Sequence, residues 1–278
     1  MTTGATCPFP LTWLYVPGDR PDVVAKALVA GADVVVVDLE DAVAPDRKEY
    51  ARAATADLLS EPSPPPVPVH VRVNAPDSPE SRADLRALAA LPALSGVRLP
   101  KVMSPAEVVR TAEGAPHLPL YALLESALAV EHAYTIATAH PALLGIGLGE
   151  ADLRAELGVA DKGLDWARSR VVCAARAAGL PAPPQSVHPD VRDLAGLAAS
   201  CAHGRSLGFL GRAAIHPRQL PVIERAYLPS AREIEAAEEL VKAAGTETGA
   251  LALPDGRFVD AAIVAGAHRT LALARRPH

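Results

Sequence analysis

The feature that most constrains the fold is a rhythm. Short apolar runs alternate with segments of helical periodicity, and the pair recurs eight times between residues 11 and 227. The strand candidates are LTWLYV (11–16), DVVVVDL (33–39), VHVRVN (69–74), GVRLPKV (96–102), LYALLES (120–126), LLGIGL (143–148), APPQSV (182–187) and GRAAIHP (211–217). Helical patterns fall between them, near 22–30, 46–59, 82–91, 105–113, 127–139, 165–178 and 190–206, with an eighth at 218–227. Continuous β-branched or apolar runs suit a sheet covered on both faces. Eight strand–helix units predict an α/β fold of the (β/α)8 TIM-barrel type. A doubly wound open sheet is the alternative. The seventh strand is the least regular, because Pro181, Pro183 and Pro184 crowd its start.

Beyond the eighth unit lies a long charged helix pattern, AREIEAAEELVKAA (231–244), then Gly245 and Gly249 and a turn-rich tail to residue 274. The expected division is a barrel over 1–228 and a C-terminal helical extension over 229–278. The tail is too apolar to be left in water, and a neighbouring subunit is one surface it could pack on. Half of the 278 residues are hydrophobic, enough for a large core. Net charge is −5 and no basic run exceeds Arg275-Arg276, which argues against nucleic acid as a partner. No apolar stretch approaches the roughly 18–20 residues of a membrane span, and the N-terminus lacks the pattern of a signal peptide. Cys7, Cys173 and Cys201 have no metal spacing and an odd count, so they read as reduced thiols in a cytoplasmic protein.

In such barrels the chemistry sits at the C-terminal ends of the strands. Strand 1 ends near Tyr15, Asp19 and Arg20, and strand 2 runs from four valines into Asp38, Glu40 and Asp41. Strand 3 carries Arg72 and Asn74, strand 4 Lys101, strand 5 Glu125; strand 6 leads to Glu150 and Asp152, and strand 8 to His216. Wet loops explain any one of these residues. They explain less well Arg72, which lies between Val71 and Val73. Glu125 directly follows an apolar strand, where burial raises a carboxyl pKa unless a cation is near. Asp152 follows Gly145-x-Gly147-x-Gly149, a spacing that lets backbone approach closely. Two acids from adjacent strands suit Mg²⁺, which takes few protein carboxylates and keeps its waters. They could equally be helix caps or surface acids. No zinc motif, GxxxxGK[ST] loop or G-x-S-x-G elbow is present.

At these positions the chain resembles the citrate lyase beta-subunit-like proteins of the HpcH/HpaI aldolase group, related to malyl-CoA and citramalyl-CoA lyases. The resemblance rests on YVPGDRPDVVAKAL, DLEDAV, VRVN, LPK, LLES, GEADLRAELG and AAIHPRQ, in family order from about Leu14 to Asp260. It implies a Mg²⁺-dependent lyase acting on a short 3-hydroxyacyl-CoA thioester and a 2-oxo acid, with thioester hydrolysis as a side or main activity. Carried over by motif, Glu125 and Asp152 would ligate the metal, and Arg72 would hold a substrate oxygen. Tyr15, Arg20 and Lys26 would contact coenzyme A; for the last two a helix-flanking salt bridge is the plainer reading. Ala151, Ile215 and His216 would complete the thioester pocket. GRFVDAAI matches a family segment whose aspartate, here Asp260, reaches a neighbouring subunit's pocket as catalytic base. A capping aspartate is the ordinary alternative. The resemblance also implies a homotrimer, or a hexamer.

Two departures bear on the acyl substrate. Relatives usually read Glu-Thr-x-x-Gly after strand 5, whereas this chain has Glu125-Ser126-Ala127-Leu128-Ala129. Gln185-Ser186-Val187-His188-Pro189-Asp190 also differs from the commoner aromatic–x–Asp pattern. Glu40 and Asp41 are expected to bond metal-bound waters or to orient Arg72 and Lys101, and Asp38 to cap or pair inside the barrel. A CoA-independent aldolase of 2-oxo acids and a non-catalytic barrel subunit remain the competing functions.

Overall fold

A computed structural model of the chain describes residues 9–61, 64–76, 78–245, 251–252 and 258–276. Seven parallel strands form one sheet: β1 (Thr12–Pro17), β2 (Val34–Asp38), β3 (Val69–Arg72), β4 (Leu94–Leu99), β5 (Leu120–Leu124), β6 (Leu143–Leu148) and β7 (Arg212–Ala214). The order is β6-β5-β4-β3-β2-β1-β7. From β2 to β6 each strand pairs with the one before it in the chain, and β1 also pairs with β7, Trp13 lying opposite Ala213. No switch point reverses the order, so the doubly wound alternative fails and the sheet curls as a TIM-type barrel.

The eighth barrel position departs from expectation. Residues 182–187 form no ladder strand; Gln185 makes an isolated bridge to Arg212. The reason is chemical: Pro181, Pro183 and Pro184 have no N–H to donate. Gln185 carries the attachment instead. Its N–H donates to the Gly211 carbonyl at 2.9 Å, and its side-chain Oε1 accepts from Tyr227 at 2.5 Å and from Arg212 at 3.2 Å. The stave is thus fastened to β7 and makes no ladder with β6.

The helices α1 (Pro21–Ala27), α2 (Lys48–Ser60), α3 (Pro79–Leu88), α4 (Pro105–Gly114), α5 (Ala127–Glu131), α6 (Ala133–Ala137), α7 (Glu150–Leu157), α8 (Asp165–Ala177), α9 (Leu194–Leu207) and α10 (Leu220–Tyr227) surround the sheet. The single helix expected over 127–139 divides at His132, and α7 begins in the stretch read only as a strand end. The core lies between sheet and helices: alternate residues such as Val35, Val37, Val69, Val71, Val97 and Leu99 face outward and are at most 5% exposed. The other alternate set points to the barrel axis, where Trp13, Val34 and Val36 form a separate small cluster. Four successive valines are therefore consistent with two dry faces.

The expected boundary at 228/229 falls between α10 and α11 (Ala231–Ala244). Ser230 and Glu233 form a reciprocal capping box at the start of α11, and Glu233 also reaches Arg205 of α9 at 2.7 Å. A two-stranded antiparallel pair, β8 (Leu251–Ala252) and β9 (Phe258–Val259), leads into α12 (Ala261–Ala274), which packs on α11. Arg276 then pairs with Asp33 at the start of β2 and with Glu224 of α10. The extension is fastened to its own barrel at both ends.

Candidate active site

The C-terminal rim opens into a cavity of about 500 Å³. Of the residues singled out from sequence, Tyr15, Arg72, Glu125, Ala151, Asp152 and Ile215 line it. β5 ends at Leu124, so Glu125 arrives on the rim buried, 6% exposed. β6 ends at Leu148, and Asp152 sits in the first turn of α7, where the helix dipole favours an acid. Gly149 passes directly over Glu125: a Cβ there would lie 2.9 Å from Glu125 Cδ and 3.0 Å from Oε1. Burial pushes the Glu125 carboxyl up to about 8, aided by the nearby charges of Glu40 and Asp152 and opposed by Arg72. Its Oε2 is buried and no hydrogen-bond partner reaches it.

The carboxylates after the four valines form the counter-charge of two cations. Asp38 binds Arg72 through both oxygens, at 2.8 Å to Nε and 2.5 Å to Nη2. The same carboxylate accepts the N–H groups of Glu40 at 2.9 Å and Ala42 at 3.1 Å, which shapes the loop. Glu40 lies 2.9 Å from Arg72 Nη1 and 2.5 Å from Lys101 Nζ. Asp41 is 3.3 Å from Lys101. Burial raises the Glu40 carboxyl, against the opposing pull of Arg72 and Lys101. Lys101 is held in a left-handed conformation, φ 53°, unusual for a residue with a side chain. The expected role of Glu40 and Asp41 in orienting Arg72 and Lys101 agrees with this geometry, and Asp38 both caps and pairs.

Four expected residues stand outside the cavity lining. Arg20 is exposed at the head of α1, three residues past Pro17, which does line the cavity. Lys26 is exposed and lies 3.9 Å from Asp22, the plainer salt-bridge reading. His216 accepts the Arg218 N–H on Nδ1 at 3.1 Å and caps a short 3-10 turn. Asp260 caps α12, accepting the Ile263 N–H at 2.9 Å. Ser126, the departure after strand 5, caps α5 by accepting the Ala129 N–H at 3.2 Å.

Sequence reasoning passed over two buried arginines. Arg98 lines the cavity at 4% exposure, among the rings of Trp13, Tyr15 and Tyr121 at 5.7–5.9 Å. Its signal was the same as that of Arg72: a lone cation between apolar neighbours, Val97 and Leu99. Arg168, 1% exposed, gathers Glu150, Asp161 and Asp165 behind α7. A helical arginine between Ala167 and Ser169 carries no such signal.

The chemistry available is that of a small hard cation. Among the described residues no group of three or more acidic, histidine or cysteine side chains converges as a metal cage. Glu125 and Asp152 form an acidic pair with one unsatisfied buried oxygen, and Mg²⁺ needs only one or two such ligands. The residues fit the ion.

Comparison with known proteins agrees. The family model described as HpcH/HpaI aldolase/citrate lyase matches residues 11–217. A (3S)-malyl-CoA thioesterase of Cereibacter sphaeroides is 37% identical over 268 residues, 94% of this chain and 93% of its own. A crystal structure of the Mycobacterium tuberculosis protein CitE, in complex with magnesium, acetoacetate and coenzyme A, superposes with a TM-score of 0.83 at 35% identity, covering 96% of this chain and 98% of that one. The citrate lyase beta subunit of M. tuberculosis complexed with oxaloacetate and magnesium gives 0.70 at 35% identity, over 80% and 98%. With the match extending across the barrel and its rim, this chain belongs to the HpcH/HpaI aldolase/citrate lyase family and is an enzyme of the lyase type.

Proposed function

We propose that the protein is a Mg²⁺-dependent lyase that cleaves, or in reverse forms, a short 3-hydroxyacyl-CoA, giving an acyl-CoA and a 2-oxo acid. The observation that carries this reading is the buried Glu125 Oε2 without a donor, beside Asp152 in a cavity that also receives Arg72. Two acids at such a place call for a cation. The M. tuberculosis neighbours, with magnesium, acetoacetate, oxaloacetate and coenzyme A, support the choice of ion and substrates.

Glu125 and Asp152 would hold Mg²⁺ at the rim. When bound, the ion supplies a Lewis acid that acidifies the substrate hydroxyl and fixes its orientation. Arg72, aligned by Asp38 and Glu40, presents its remaining N–H groups to oxygen that gains negative charge. A base takes the hydroxyl proton, the hydroxyl carbon becomes the carbonyl of the 2-oxo acid, and the electron pair of the broken carbon–carbon bond passes to the thioester as an enolate. Asp260 of a neighbouring subunit returns a proton to the enolate carbon, and removes one in the condensing direction. This would give the 229–278 extension a place in a partner's site, in keeping with the homotrimer, or hexamer, that the family resemblance implies. Tyr15, Ala151, Ile215 and His216 border the thioester, and Arg20 and Lys26 meet coenzyme A phosphates at the mouth. Hydrolysis of the same thioester is a second reading, favoured by the malyl-CoA thioesterase relative.

The test pairs acetyl-CoA and propionyl-CoA with glyoxylate, pyruvate and oxaloacetate, with Mg²⁺ or with chelator, read by mass spectrometry. Mg²⁺-dependent condensation is expected in at least one pair, and the hydroxyacyl-CoA formed, when returned alone, should be cleaved. Free CoA without the 2-oxo acid would assign the thioesterase instead. Products from 2-oxo acids alone, or Arg20→Ala/Lys26→Ala enzyme with unchanged thioester activity, would remove the coenzyme A assignment. No product under any condition would sink the lyase.

A further inference from the structure

A second cavity of about 530 Å³ lies lower in the barrel, walled by β6 and the proline stave, with Leu144–Gly147 on one side and Gly179–Pro184 on the other. Its origin is in the sequence. Pro181, Pro183 and Pro184 prevent a ladder along the stave, and Gly145 and Gly147 leave the facing strand without bulk. A TIM-barrel interior is ordinarily filled by layers of branched side chains; here the lower layer is open. Its volume falls in the range of roughly 300–1,000 Å³ occupied by small-molecule sites. Its walls are largely apolar, and the polar side chains on them are Asp33, just before β2, His70 of β3, Ser95 and Arg98 of β4, and Tyr121 of β5.

Arg98 is the unusual one. Its side chain is more than nine-tenths buried, its Nε has no hydrogen-bond partner, and among the described residues it forms no ion pair. A buried cation without a counter-charge costs several kcal/mol. Three rings at 5.7–5.9 Å recover part of that through their negative faces. Asp33, on the same cavity wall, is committed to Arg276 and to the Leu11 and Thr12 N–H groups, and Asp38 to Arg72. His70 Nδ1 is likewise buried without a partner, and burial together with the charge of Arg98 keeps this imidazole neutral. Trp13 and Tyr121, which wall the lower cavity and not the upper one, are two of the three rings around the guanidinium.

We propose that the lower cavity is a second ligand site, distinct from the acidic rim, for a small monocarboxylate with a flat apolar body: the carboxylate pairs with the Arg98 guanidinium, and the body lies between Trp13 and the prolines of the stave. This does not depend on the lyase reading, because Glu125 and Asp152 take no part. Since Arg98 borders both cavities, its occupant is placed to alter the floor of the upper one.

Trp13 makes the test direct. The chain has two tryptophans, and Trp166 is 61% exposed on α8, so Trp166→Phe leaves Trp13 as sole reporter. Benzoate is the probe and neutral benzamide its control. Titration should give a saturable change in Trp13 emission with benzoate and bind benzamide at least about tenfold more weakly, a difference of about 1.4 kcal/mol. In that background Arg98→Met, checked for its fold by circular dichroism, should lose the preference for the anion. Ala182→Trp, read by ligand-observed NMR, should exclude benzoate while Arg98 remains. Equal binding of benzoate and benzamide, no saturation with benzoate, or binding unchanged by Ala182→Trp would each overturn the site. If Arg98→Met does not fold, Arg98→Lys keeps the charge and should retain the preference with reduced affinity; loss of all response to benzoate by folded Arg98→Lys would count against a charge-led site.

Discussion

Arg168 Nη2 lies 2.5 Å from Glu150 Oε2, with the two side chains 2% and 5% exposed. Glu150 is the first residue of α7, and Asp152 follows in the same turn. The pair therefore sets the position of one proposed metal ligand from behind. Asp161 at 2.8 Å and Asp165 at 2.9 Å add counter-charge to the same guanidinium. Arg168→Met removes the partner and leaves Glu150 buried with its charge. The expected loss is about 3–5 kcal/mol of stability, measured by urea unfolding. Glu150→Gln in the same chain should restore much of it, because no isolated charge is then buried. Magnesium affinity should fall in both variants, since α7 loses its anchor. Wild-type affinity in the single variant would show that Asp152 is positioned by other contacts.

The rim acid proposed to bind a cation should weaken the fold without one. Burial and neighbouring acids raise Glu125 from 4.5 to about 8. Between those values the folded chain holds a proton that the unfolded chain has released. Stability then falls as pH rises through this window and is fully present only below the unfolded value. In chelator, melting temperature should decline from about pH 5 to about pH 8, and Glu125→Gln should flatten that decline. Saturating Mg²⁺ should reverse the trend for the wild type, because the ion binds the ionised carboxylate. The same substitution should abolish magnesium-dependent turnover, a loss beyond the roughly 10–100-fold typical of an outer-shell partner.

Gly149 tests how tightly the site is assembled. Its φ is −90°, so no left-handed freedom is at stake and the requirement is steric. An alanine methyl would press on Glu125 Cδ and Oε1. Gly149→Ala should leave the far-ultraviolet circular dichroism intact and weaken Mg²⁺ binding by at least about tenfold, or about 1.4 kcal/mol, through displacement of one ligand. Unchanged affinity would mean that Glu125 can rotate away without cost.

The barrel was legible because DVVVVDL and its counterparts are buried on both faces, a condition few other folds impose. Glu125 and Arg72 were legible for the reverse reason: each is a charge in a run that is otherwise apolar. The stave at 182–187 was legible as a place in the order but not as a bridge, since proline removes hydrogen bonds without changing which residues are apolar. Arg98 shows the same contrast as Arg72 and was passed over, because its neighbours on the axis come from β1 and β5, distant in sequence. Arg168 stayed hidden because its three acids converge through the turn before α8. The extension was foreseen as packed, but its attachment to Asp33 depends on Arg276, one of a pair of arginines that nothing in the sequence ties to an acid 243 residues away.

Asp260 separates a structural role from a catalytic one. In the single chain it caps α12 through Ile263 N–H and stands outside both cavities. Asparagine caps helices about as well as aspartate, whereas alanine loses about 1 kcal/mol. If the carboxylate serves only as a cap, Asp260→Asn should be fully active and Asp260→Ala slightly less stable. If it serves a neighbour's pocket, Asp260→Asn should keep its melting temperature and lose turnover. Mixing Asp260→Asn with Glu125→Ala protomers should then recover part of the activity, since some hybrid sites combine an intact Glu125 with an intact Asp260 from the next subunit. Verified mixed assemblies with no recovery would place the base elsewhere and leave Asp260 as a helix cap.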